Sequence, residues 1–119
     1  MINLEDFDII ALVYECLECL NVPVIEGWYD EELNKTHITV HEYLEQDESF
    51  EDDEAREEEH NIQIDVWSKD SLEAFKLKKG IKKLLKKNNF YFDSSEDFYE
   101  TKTRIYHKGL RFSYISEIS

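Results

Sequence analysis

Two stretches of the chain place apolar residues three and four positions apart, the spacing of an amphipathic helix. In residues 4–20 the apolar positions are Phe7, Ile10, Val13, Tyr14, Leu17 and Leu20. In the second stretch, which follows Asp70, they are Ala74, Leu77, Ile81, Leu84 and Leu85. Asp70 suits an N-cap, Glu73 stands three residues later as in a capping box, and Asn88-Asn89 can end the helix. The pattern therefore predicts two helices, and Gly80 inside the second indicates a close approach by a neighbouring element.

Two other stretches alternate apolar and polar residues, which is the period of a half-buried strand. From Thr36 to Leu44 the positions predicted to face the core are Ile38, Val40 and Leu44, and from His60 to Ser68 they are Ile62, Ile64 and Val66. The polar positions between them, among them His37, Thr39, His41, Asn61, Gln63 and Asp65, are expected to point outward. Because the two strands flank one connection, we expect an antiparallel pair.

The last third of the chain predicts a hairpin, with strands at 97–106 and 110–118 and a turn at Lys108-Gly109. Residues 22–29 predict a short edge strand or an ordered loop, because Pro23 has no N–H to donate to a ladder. The expected fold class is therefore α+β. A single domain (1–119) would hold a mainly antiparallel four-stranded sheet with two helices packed on one face.

The charge of the chain is concentrated in two segments. Residues 45–59 hold ten acidic side chains and one Arg, and leaving this segment out changes the net charge from −14 to −5. Between Leu72 and Lys87 there are seven basic residues and one acidic residue. Because segment 45–59 has one aromatic residue and no aliphatic stripe, it predicts a flexible acidic loop between two strands. The alternative is a segment that becomes ordered on a basic partner.

Composition excludes several classes of function. A net charge of −14 argues against sequence-specific nucleic-acid binding and against an anionic membrane surface, since both require a positive footprint. No apolar run approaches the roughly 20 residues that span a bilayer. The first ten residues are acidic where a secretory signal would be basic. Two cysteines and one proline exclude a disulfide scaffold, so we expect a cytosolic acidic domain.

Two constellations imitate catalytic or metal chemistry. Cys16, Cys19, His37 and His41 resemble a zinc pattern, but the cysteines fall in a predicted helix, and the histidines would lie about 13 Å apart on a strand. Asp65 and Lys69 could suggest a metal-dependent nuclease strand, which would need a second carboxylate nearby. We therefore expect no catalytic residues, no cofactor and no metal, and keep an enzyme built on Asp65 as an alternative.

Other features favour binding. Trp67 shares the polar side of its strand and is either a cap on the core edge or an interface anchor. The lysine side of the second helix is either a solvated face or a docking surface for an acidic neighbour. Segment 45–59 is such an acidic surface, so head-to-tail self-association is an electrostatic option.

Three segments together resemble the tail completion (tail terminator) proteins of long-tailed bacteriophages. They are the strand Ile62–Ser68, the helix rich in Lys and Leu, and the hairpin region Tyr106–Phe112, and the resemblance is best over residues 60–116. Over residues 1–59 only the order of an N-terminal helix and a strand matches, and segment 45–59 is unusually long and acidic for the family.

The resemblance implies a structural role. Such proteins form a ring, typically a hexamer, that caps the tail tube and presents a surface to the head connector, and prophages carry them too. The implied partners are copies of the chain, tail-tube protein and a head-connector or neck protein, in the virion neck and in host cytoplasm during assembly. The expected interface residues are Trp67, Lys79, Lys83, Lys86, Asp52 and Asp53. Alternatives are a head-closure adaptor and an acidic DNA mimic of the anti-restriction type.

Overall fold

The computed structural model describes residues 7–28, 35–51 and 54–117. In chain order the elements are α1 (Ile9–Leu17), a 3₁₀ turn (Glu18–Leu20), β1 (Val24–Glu26), β2 (His37–Glu51), β3 (Glu54–Ser68), α2 (Ser71–Lys87), β4 (Tyr91–Glu100) and β5 (Ile105–Glu117). The α+β class expected from the sequence is confirmed. Neither described helix is both long and apolar enough to cross a bilayer.

The strands form one five-stranded mixed sheet in the order β1-β2-β3-β5-β4. All neighbours are antiparallel except β1, which pairs in parallel with β2 at Ile38, Thr39 and Val40. The expectation of four strands is corrected by this fifth, edge strand. Pro23 precedes β1. Its carbonyl accepts a hydrogen bond from the Ile38 N–H at 2.8 Å, and this position needs no N–H donor, which proline lacks.

Both helices pack on one face of the sheet, as predicted. The buried core joins side chains from α1, α2 and the three central strands: Val13, Leu17, Ile38, Val40, Ile62, Ile64, Val66, Leu77, Ile81, Leu85, Leu110 and Phe112. A Cβ on Gly80 would lie 3.1 Å from Cδ2 of Leu20, which is the close approach that a glycine in mid-helix indicates. The helices therefore meet each other as well as the sheet.

The helix boundaries differ in part from the prediction. α2 begins after Asp70 as expected, but the Glu73 side chain bonds the hydroxyls of Thr36 and Ser68 rather than closing a capping box. α1 begins only at Ile9, because Asp8 caps it through bonds from the N–H groups of Ile10 and Ala11. The predicted positions 4–6 lie outside the described residues.

The C-terminal hairpin turns earlier than the sequence predicts. Residues 101–104 connect β4 to β5, with Arg104 in the left-handed region at φ 60°, and Lys108 and Gly109 lie inside β5. Gly109 is needed for a different reason, since a Cβ there would come within 3.2 Å of Asp65 Oδ1. The start of β4 lacks alternation because it is an exposed edge strand.

The β2–β3 hairpin passes through most of the acidic segment. Residues 45–51 belong to β2 and 54–59 to β3, so the prediction of a loop across 45–59 is wrong there, while positions 52 and 53 lie outside the described residues. The backbone pairing of β2 with β3 continues through this segment to the pair Glu51–Glu54. We call segment 45–59 the acidic arm. It helps to stretch the chain to 54 Å in its longest dimension and to a radius of gyration of 15.7 Å, against about 13.5 Å for a compact domain of this length.

The cap of α2 gives a direct test of the fold. Asp70 Oδ1 accepts bonds from the N–H groups of Leu72 at 2.9 Å and Glu73 at 3.1 Å. We expect Asp70→Ala to lower the free energy of unfolding by about 1 kcal/mol in urea titrations. Asp70→Asn, which keeps an acceptor oxygen, should lose much less. Equal losses in both variants would contradict the capping role.

Candidate protein-interaction surfaces

The outer side of α2 carries five exposed lysines, which we call the lysine face: Lys76, Lys79, Lys83, Lys86 and Lys87. The other two lysines of the helix have partners within the chain, since Lys78 contacts Asp97 at 3.1 Å and Lys82 lies 4.2 Å from the centre of the Phe92 ring. Among the described side chains, no carboxylate forms an ion pair with the lysine face. Lys79 Nζ lies 5.6 Å from the centre of the Phe75 ring, and the role of Lys79, Lys83 and Lys86 as interface residues stays a prediction.

The acidic arm aligns like charges across its two strands. In the β2–β3 register Asp47 stands opposite Glu58, Glu48 opposite Glu57, and Glu51 opposite Glu54. Like charges directly opposite each other destabilise an antiparallel pair. Asp52 and Asp53, two of the predicted interface residues, lie outside the described residues. The arm is therefore a place where a cationic partner would relieve repulsion.

At the base of the arm, a buried histidine meets two carboxylates. His60 Nδ1 lies 2.7 Å from Glu42 Oε2 and 3.7 Å from Glu45 Oε2, and its Nε2 lies 3.0 Å from Ser116 Oγ. The ligand atoms of His60, Glu42 and Glu45 lie within 4.8 Å of one another, close enough to hold a metal ion. Sequence reasoning missed this cluster, because regular alternation would put positions 42 and 45 on opposite faces. A β-bulge between Glu42 and Leu44 brings them together and turns Leu44 away from the core.

The face of the sheet opposite the helices carries a polar layer. Asp65, only 2% exposed, accepts a hydrogen bond from His107 Nε2 at 2.6 Å and bonds from the Gln63 amide at 3.0 and 3.2 Å. Trp67 donates from Nε1 to Thr39 Oγ1 at 2.9 Å and stacks on the His107 ring at 3.8 Å. The indole thus covers a buried polar network.

This layer corrects the expectation that the polar positions of β2 and β3 point into solvent. His37, Thr39, Asn61 and Asp65 are buried on the face that has no helix. Trp67 is partly buried and caps this layer, so its role as an interface anchor remains a prediction. Beside the polar layer lies a groove of about 350 Å³, lined by Gln63, Phe98, Arg111 and neighbouring residues of β4 and β5.

The residues of the zinc-like pattern lie on two sides of the sheet. Cys16 is buried in α1, and burial, with Glu15 nearby, raises the pKa of its thiol. Cys19 is exposed in the 3₁₀ turn. On the face away from the helices, the His37 ring is stacked with Trp67, and the His41 ring contacts Trp28 at a tilt of 36°. The two cysteines and the two histidines therefore do not come together at one site.

A solved structure shares this arrangement of strands and helices. It is a chain from "Virion of native gene transfer agent (GTA) particle", with a TM-score of 0.64 and 15% sequence identity, and the alignment covers 92% of this chain and 94% of that one. The two chains share one fold. No protein-family model matches the sequence, and no curated protein matches it either.

The polar layer predicts a loss of stability on removing Asp65. In Asp65→Ala the Gln63 amide and His107 Nε2 lose their acceptor in a buried setting, and we expect the free energy of unfolding to fall by about 1–3 kcal/mol. Urea titration followed by tryptophan fluorescence measures this. The exposed neighbour Glu96→Ala is the control and should change little. Equal effects in both variants would contradict the network.

A pH dependence follows from the contact between α2 and the β4–β5 hairpin. Partial burial raises the pKa of Asp97, but hydrogen bonds and charges from Lys78 and Lys108 outweigh it and lower this pKa below the ordinary value. The stabilisation is therefore present above the unfolded-state pKa and lost as the pH falls through the folded-state pKa. Because Asp97 is half exposed, we expect Asp97→Asn to cost less than about 1 kcal/mol at pH 7.

The cost of Asp97→Asn should shrink towards zero as the pH approaches 2. Parallel urea titrations of the wild type and the variant between pH 7 and pH 2.5 measure the difference. A difference that stays constant over this range would contradict the ion pairs.

Proposed function

We propose that this protein is a structural component of a virion, and specifically a tail completion protein that caps the tail tube as a ring and helps join tail to head. The observation that carries the proposal is the likeness to a chain of a virion over nearly the full length of both chains. The sequence resemblance to tail completion proteins, found over residues 60–116, supports the same class independently.

The surfaces of the chain suit such a role. A ring that closes by head-to-tail contacts needs two different patches on each subunit. The acidic arm and the lysine face are two such patches with opposite charge, on separate elements of the fold. The predicted partners are therefore further copies of the chain around the ring, with tail-tube protein and a head-connector protein on its two sides. A head-closure adaptor is a close variant of this proposal.

An acidic DNA mimic is a second candidate that one observation favours. Because most of the arm is strand, alternate positions along each strand stand about 6.6 Å apart in the backbone, and many of these positions are acidic in the sequence. Fixed spacing is what imitation of a phosphate backbone requires. Binding to DNA-binding enzymes that is competed by duplex DNA would support this candidate.

The ring is tested first by the solution mass of the purified protein. Light scattering at low salt should give a species of about 86 kDa, six chains of 14.3 kDa, which shifts towards smaller species as salt is raised. Binding is tested next, by electron microscopy of purified tail tubes mixed with the protein. We expect a ring at one end of each tube and no further tube growth.

The control for capping is the same protein after mild acid unfolding, which should leave the tube ends bare. Tubes that continue to grow in the presence of folded protein would rule out the capping function. Binding to connector rings without binding to tubes would instead select the head-closure variant.

A further inference from the structure

We propose that the acidic arm of one chain docks on the lysine face of a second copy of the same chain. This inference rests on the proposed function, which supplies the closed ring. It adds the pair of surfaces that make the contact between neighbouring subunits.

The arm is the part of the structure that gains most from a cationic neighbour. Segment 45–59 has a net charge of −9, with Arg56 as its one basic residue. Glu57–Glu117 is the last described pair between β3 and β5, and past it the described ladder joins β2 to β3, with Glu51 opposite Glu54. A two-stranded hairpin without a hydrophobic face is marginally stable by itself. A positively charged surface along the hairpin would reduce the repulsion between its acidic residues and add contacts to the two strands.

The helix that carries the lysine face has an excess of positive charge. Residues 71–87 carry seven lysines and one glutamate, a net charge of +6. Lys78 and Lys82 are partly buried against Asp97 and Phe92, and the other five lysines are exposed, with Lys79 over the ring of Phe75. Closely spaced like charges on one helix face repel each other, and a carboxylate surface relieves that repulsion too.

The two surfaces also match in length. From residue 45 to residue 51 the arm extends about 20 Å, at roughly 3.3 Å per residue. From Lys76 to Lys87 the helix rises about 17 Å, at 1.5 Å per residue. An extended strand pair of this length can therefore lie along the helix from Lys76 to Lys87.

Within one chain the two surfaces face different directions. The arm continues β2 and β3 past the last described β3–β5 pair, Glu57–Glu117, whereas the lysine face is the exposed side of α2, opposite the side that packs on the sheet. Among the side chains that the structure describes, which in the arm are those of residues 45, 46 and 57–59, no ion pair joins them. We therefore assign the contact to two different copies. Because its two halves differ it repeats head-to-tail, which gives a ring where the rotation between neighbouring copies closes.

A charge-swap experiment tests the contact. The helix variant is Lys79→Glu, Lys83→Glu, Lys86→Glu and Lys87→Glu, which changes the charge of residues 71–87 from +6 to −2. The arm variant is Glu51→Lys, Asp52→Lys, Asp53→Lys and Glu54→Lys, which changes segment 45–59 from −9 to −1 and makes positions 51–54 basic. Circular dichroism first confirms that both variants fold.

Each variant alone should associate at least tenfold more weakly than the wild type in light scattering at low salt. An equimolar mixture should recover assembly, because the basic tip of one variant now fits the acidic helix of the other. The matched control carries Lys35→Glu, Lys69→Glu, Lys102→Glu and Arg104→Glu, four exposed residues outside the lysine face. It has the same net charge as the helix variant and should associate like the wild type.

Three outcomes would overturn the inference. They are a mixture that stays dissociated, a control that dissociates as far as the helix variant, and a wild type that is monomeric at every concentration and salt. The proposed function fails separately. If the mixture recovers rings that do not bind tail tubes, the contact stands without the capping role. If the variants still form rings that cap tubes, the capping role stands and another surface joins the subunits.

Discussion

The fold depends on the double pairing of β3, the central strand of the sheet, whose ladder runs along β2 on one side and along β5 on the other. Its even-numbered residues Ile62, Ile64 and Val66 close the apolar core against the helices. Its odd-numbered residues Asp65 and Trp67 hold the polar layer on the other face. Because successive side chains point to opposite faces, a shift of register by one residue would bury the wrong set on both sides at once. One strand therefore fixes the arrangement of both layers.

The sequence predicts those parts of the fold that follow from local periodicity. The apolar alternation of residues 62–66 and the stripe of α2 from Ala74 to Leu85 appear as expected, because burial on one face imposes its period on the sequence. The start of β4 and the bulge near Glu42 could not be predicted. The start of β4 is exposed, so its sequence does not alternate between apolar and polar residues. The bulge adds one residue to β2, which changes the face of the sheet that the following residues occupy.

Some of the candidate surfaces could be predicted from local sequence patterns and others could not. The lysine face is visible in the sequence, because helical spacing alone collects those side chains on one side. The network around Asp65 is not, since His107 comes from a strand 42 residues away and is brought there only by the sheet register. The acidity of the arm is visible too, but its strand structure is not, because ladder bonds between backbones carry no signature in the side chains.

The short β1 has a consequence for how the protein behaves in concentrated solution. It covers β2 only at Ile38, Thr39 and Val40, so the backbone of β2 from there to Glu51 has no described strand on its outer side. A long open strand of this kind is a template for aggregation between chains. The sequence of β2 is rich in acidic residues over this stretch, and charge of one sign along two such edges disfavours their pairing. The same acidity that we assign to assembly would thus also keep newly made subunits soluble until they meet a lysine-bearing neighbour.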